Sequence, residues 1–147
     1  MQSPNQSEDG DARAIRAARG LQSAAIAAGD LDLVASFWTD DVTIRRALGQ
    51  PVEGAVAARK IFEPVGPAAT HIVYQRTAVE VDVSRTWPLA YEAGVWAGHL
   101  GNATGPVVIG GRYSAQWVKR DGGWLIRSEV FVALTCADAG CDFQVTP

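Results

Sequence analysis

The apolar residues of this chain recur mainly at helical spacing up to Phe62, with one short alternating run from Val42 to Arg46, and alternate from about Thr70 to Leu134. A chain that spends its helical signal first and its strand signal last points to an α+β fold. Helices then pack on one face of an antiparallel sheet.

The helical part divides into three. Ala14, Ala17, Ala18, Leu21, Ala24, Ala25 and Ala28 form a stripe at i, i+3, i+4, i+7 spacing, with Asp11 as expected N-cap and Gly29 as expected stop. Asp30 opens a second helix with the stripe Leu31, Val34, Ala35 and Trp38, expected to end at Thr39-Asp40-Asp41. Val42, Ile44 and Arg46 alternate with Thr43 and Arg45, a short strand that sets Arg46 on an apolar face. Gly49 to Gly54 is turn chemistry around a short extended piece. Residues 55–62 read as a third helix, stopped by Pro64, Gly66 and Pro67.

Four long strands follow, over residues 70–84, 89–100, 107–120 and 124–134. Asp121-Gly122-Gly123 is a hairpin turn, and Gly110-Gly111 inside a strand predicts a bulge or bend. Long strands bent by glycine make a curved sheet, and helices laid across its concave side leave a cone with an internal pocket.

Composition narrows the function classes. At 147 residues and a net charge of −3, the chain is one domain without the clustered basic charge that phosphate backbones need, so no nucleic acid is expected. Its apolar runs fall short of the ~20 residues of a membrane span. The first ten residues are polar and read as a disordered terminus before a domain over 11–134, with a tail over 135–147. No apolar signal region follows a basic start, so the expected location is cytoplasmic. On that ground Cys136 and Cys141 are expected as reduced thiols rather than a small disulfide loop. His71 and His99 lack ligand spacing, and no metal is expected. No Gly-x-Gly-x-x-Gly or Walker loop is present, so no cofactor is indicated. Ser128 has no neighbouring His and makes no triad.

Several stretches resemble a known superfamily. Ala24-Ala25-Ile26-Ala27-Ala28-Gly29-Asp30-Leu31-Asp32 and Phe37-Trp38-Thr39-Asp40-Asp41-Val42 resemble the opening of nuclear transport factor 2-like proteins. Glu53-Gly54 before Ala58-Arg59-Lys60-Ile61-Phe62 is similar to their third helix. Ala90-Tyr91-Glu92-Ala93-Gly94-Val95-Trp96, Gly111-Arg112-Tyr113 and the run from Trp117 to Ile126 resemble the SnoaL-like, ketosteroid-isomerase-like branch. The resemblance implies a cone-shaped, cystatin-like α+β barrel, with a curved sheet wrapped around three N-terminal helices. It also implies a homodimer through the outer sheet face. It does not fix chemistry, because the superfamily holds isomerases, dehydratases, hydrolases, cyclases and non-catalytic members.

Carrying over the isomerase roles puts the base position on Arg46, the tyrosine position on Gln22 and the acid position near Tyr113. An arginine, with a pKa above ~12, is no base near neutral pH, which excludes a conventional ketosteroid isomerase. The alternation leaves Trp38, Arg46, Phe62, Glu92, Trp96, Tyr113, Trp117, Glu129 and Phe131 as the expected pocket residues. Arg46, Glu92 and Tyr113 are the catalytic candidates: an arginine to orient an anionic or carbonyl group, a carboxylate to move a proton and a phenol to donate. The competing reading is a buried Arg–Glu pair closing an aromatic core. Tyr91, Arg112, Ser114 and Gln116 take the opposite parity and are expected on the outer face. The expected ligand is a small hydrophobic molecule. It would be either the substrate of a cofactor-free isomerase, dehydratase or cyclase, or the ligand of a non-catalytic binding protein. A dimeric accessory domain is the further alternative.

Overall fold

A computed structural model describes residues 4–146. Three helices and six strands follow one another in the order α1 (Pro4–Ala28), α2 (Leu31–Ala35), β1 (Trp38–Arg45), β2 (Val52–Glu53), α3 (Ala55–Lys60), β3 (Ile72–Val83), β4 (Leu89–Leu100), β5 (Val107–Arg120) and β6 (Gly123–Cys136). The sheet order is β2-β1-β6-β5-β4-β3. Only the β1–β6 pair is parallel. The strand that follows the first two helices thus lies beside the last strand, and β3 to β6 form the expected meander. The sheet is curved, as expected of a cystatin-like α+β fold, and open, with β2 and β3 as its edges.

The long strands lie where the alternation puts them. The register shifts between Gly110 and Gly111, as their pairing predicts, and Asp121 and Gly122 both take the positive φ of a tight hairpin turn.

The helices depart further from the sequence reading. α1 starts at Pro4, within the ten residues read as a terminus ahead of the domain, and Met1 to Ser3 lie outside the described residues. Asp11 is no N-cap but lies inside α1, where its carboxylate accepts from Lys119 Nζ at 3.1 Å and Trp124 Nε1 at 3.0 Å. α2 ends at Ala35 rather than at residues 39–41, so Trp38 opens β1. Asp30 does cap α2, accepting from Leu33 N at 3.2 Å. The tail is tied down, because Cys136 and Cys141 form a disulfide instead of the expected free thiols. A 3-10 turn follows over Asp138–Asp142, with Gly140 buried.

The stripe that α1 buries is also not the expected one. Ala14, Ala17, Leu21, Ala24 and Ala28 are exposed, while Ile15, Arg19, Gln22 and Ala25 are buried. The helix is fastened across the concave face by polar contacts with β3. The Arg16 guanidinium donates to the carbonyls of Ala78 and Val79. Ser23 Oγ donates to the carbonyl of Arg76 and accepts from its amide, both at 3.0 Å. No helix among the described residues is long and apolar enough to cross a membrane.

Candidate functional site

Two polar layers lie between α1 and the concave face of the sheet. The deeper is centred on Arg19, whose side chain is about 1% exposed. Its Nε and Nη2 donate to Glu92, the shortest bond being 2.7 Å, and its Nη1 donates to Glu129 Oε2 and Gln22 Oε1, each at 2.8 Å. Tyr113 OH donates to Glu92 Oε2 at 2.5 Å, and Trp117 Nε1 donates to Glu92 Oε1 at 2.8 Å. The guanidinium also lies over the Tyr113 and Trp117 rings, 4.9 and 5.3 Å from their centroids.

The charges are settled by these contacts. Burial works to raise the Glu92 pKa, but the hydrogen bonds and charge of Arg19, helped by Tyr113 and Trp117, outweigh it and hold the carboxylate below its usual range. Burial, opposed by Arg19 and reinforced by Glu92, pushes the Tyr113 phenol well above its usual range, so it stays a neutral donor. A carboxylate that receives this many donors has no oxygen left to take a proton from a ligand. Glu92 is therefore bound up in structure, and the buried Arg–Glu pair is made by Arg19 rather than Arg46.

The second layer faces a hollow of about 100 Å³. Arg46, Phe62, Trp96 and Phe131, all among the expected pocket residues, line it together with Tyr74, Arg76, Ile109 and Phe143. Glu92, Tyr113, Trp117 and Glu129 are not in its lining and belong to the sealed layer behind, while Trp38 packs on Phe62 with ring centroids 5.9 Å apart. Position 46 and position 113 thus do not share one hollow.

Arg76 is the residue that the sequence reading missed. It is 7% exposed and stacked over Phe62 and Phe131, 5.2 and 4.9 Å from their centroids. Its Nη1 reaches Gln22 Oε1 at only 3.5 Å, and its Nε has no hydrogen-bond partner. Burial lowers its pKa most, Glu129 raises it and Arg19 lowers it again. Arg46 sits half-buried with its guanidinium folded over Gly49, where a Cβ would meet Cζ and Nη1 at 2.5 Å. Tyr74 stands in the field of both arginines: burial raises its pKa, and Arg46 and Arg76 pull it down. Among the described residues the lining contains no carboxylate, imidazole or thiol.

The arrangement has relatives. Residues 10–129 match the SnoaL-like domain. The chain belongs to the SnoaL-like domain family. No curated protein matches it. A scytalone dehydratase-like protein from Novosphingobium aromaticivorans is 20% identical over 94% of this chain and 91% of its own, with a TM-score of 0.75. A Mycobacterium tuberculosis protein of unknown function is 19% identical over 94% and 86%, with a TM-score of 0.77. A ketosteroid isomerase-like protein from Erwinia carotovora atroseptica is 19% identical over 85% and 97%, with a TM-score of 0.66. At these identities the likeness is one of fold.

Proposed function

We propose that this SnoaL-like domain binds a small, largely apolar molecule in the hollow and does so without acid–base catalysis. The supporting observation is the make-up of the lining: aromatic and aliphatic walls, two arginines and one tyrosine, with no group that accepts a proton near neutral pH. An apolar cavity of ~150 Å³ holds one benzene ring; at about 100 Å³ the hollow is smaller but open to solvent, so it takes no more than one ring, part of which stays at the mouth. The test is an NMR titration with toluene as probe. The Trp96 indole and the amides around Phe131 are expected to shift saturably, with toluene recovered unchanged. Shifts confined to the outer sheet face would sink the reading.

The outer face supports a second copy as partner. Register sets Val95, Arg112 and Val132 in one row across β4, β5 and β6, and Ala93, Ser114 and Val130 in the next. Val95, Val130 and Val132 are each 46–48% exposed. A mixed apolar and polar face of this kind fits an isologous dimer. Sedimentation equilibrium is expected to give twice the 15.6 kDa chain mass, and Val132→Lys to return it to the monomer. A wild-type monomer at all concentrations would count against the dimer.

A further inference from the structure

The side chains that line the hollow include two guanidinium donors and a phenol but no carboxylate. Arg76 is buried, lines the hollow and carries an Nε–H with no partner. An unpaired buried donor on a charged group is costly, and fully satisfied buried cations are the rule. The two buried carboxylates nearby leave the Arg76 Nε–H unmatched: Glu92 accepts from Arg19, Tyr113 and Trp117, Glu129 accepts from Arg19 through Oε2, and Glu129 Oε1, though itself without a partner, lies outside the lining of the hollow and makes no hydrogen bond to Arg76. Arg46 adds a second guanidinium at the lining and Tyr74 a phenol under the influence of both. Phe62 and Phe131, on which Arg76 stacks, form the apolar wall beside it.

We propose that the hollow selects a small aromatic carboxylate, its ring against Phe62, Trp96 and Phe131 and its carboxylate received by Arg46, Arg76 and Tyr74. A carboxylate has about four acceptor sites and no donor when ionised, which complements two guanidinium groups and a phenol O–H. Planar guanidinium forks suit that geometry better than any other cation. A neutral amide of the same shape brings an N–H₂ group against guanidinium N–H groups and leaves donors unmatched. This selectivity rests on the binding reading above and narrows it to one class of ligand.

Benzoate and benzamide separate the two claims, because they share ring and shape and differ in charge. Titrated at neutral pH and followed by the Trp96 indole resonance, benzoate is expected to bind at least about tenfold more tightly than benzamide, the usual scale for a charge-assisted hydrogen bond. Arg76→Gln and Arg46→Gln are each expected to shrink that ratio. Arg46 is half-exposed, so its variant folds even if the change at Arg76 disrupts the core. Equal binding of the two probes in the wild type, or a ratio unchanged in Arg46→Gln, overturns the carboxylate assignment and leaves the hollow as a neutral binding site. Failure of both probes and of toluene to bind overturns the binding reading as well.

Discussion

Replacing Arg19 by Met is expected to lower the urea midpoint of unfolding by about 2 M. The substitution keeps roughly the same length of apolar stem but removes the guanidinium bonded to Glu92 and Glu129, both buried to 1% exposure or less. Breaking a buried ion pair by removing one partner costs about 3–5 kcal/mol, because the other charge stays behind uncompensated. Here two charges stay behind. Set against a typical domain stability of about 5–15 kcal/mol and a urea slope of about 1–3 kcal/mol per molar, the loss is a large fraction of the total. Arg19→Lys is expected to recover little, since one ammonium cannot span Glu92, Glu129 and Gln22 together as the planar fork does. Adding Glu92→Gln and Glu129→Gln to Arg19→Met should restore part of the loss by removing the orphaned charges. A wild-type midpoint for Arg19→Met would show that the network contributes nothing to folding.

Gly94→Ala is expected to cost about 3 kcal/mol, at the upper end of what overpacking a core does, and to lower the melting temperature accordingly. Gly94 lies on the inner face of β4, opposite Tyr113 on β5 and Ala78 on β3. A Cβ there would run into the Thr77 carbonyl on one side and would lie 2.6 Å from Tyr113 OH on the other. The carbonyl belongs to backbone and cannot swing away. The phenol can move only by giving up its bond to Glu92. The damage therefore reaches the Arg19 layer, and Tyr113→Phe in the Gly94→Ala background should cost less than Tyr113→Phe alone. Differential scanning calorimetry of the four proteins measures that coupling, and strict additivity would contradict the contact.

The sheet was legible in the sequence because period two is unambiguous over long runs. Glu92, Trp96, Tyr113, Trp117, Glu129 and Phe131 all lie on the buried side that alternation assigns them. The helix across the sheet was not legible in the same way. α1 is so rich in alanine that its apolar stripe has little contrast with its flanks, and Ala14, Ala17 and Ala24 belong to solvent. The stripe that is buried carries Arg19 and Gln22, two residue types that hydrophobic patterning sends outward. The available signal was their spacing from Ile15, at i+4 and i+7 on one helical face, met by the inward carboxylates of the strands. Arg76 was hidden for a similar reason: it shares parity with Ile72 and Tyr74, but a lone arginine in a strand reads as surface. Whether Cys136 and Cys141 are joined was beyond a spacing argument, since a separation of five residues permits either state.

The tail closes on the hollow through three features of different kinds. Phe143 stands in its wall, the Thr146 amide donates to the Leu48 carbonyl beside it, and the disulfide ties the segment back to the end of β6. One wall of the cavity is thus hung from a covalent latch. The same polypeptide handled with dithiothreitol keeps its sheet and its arginines but loses the tether on that wall. Affinities recorded with and without a thiol reductant therefore describe two differently bounded cavities, and comparing them without stating the reductant would mistake one for the other.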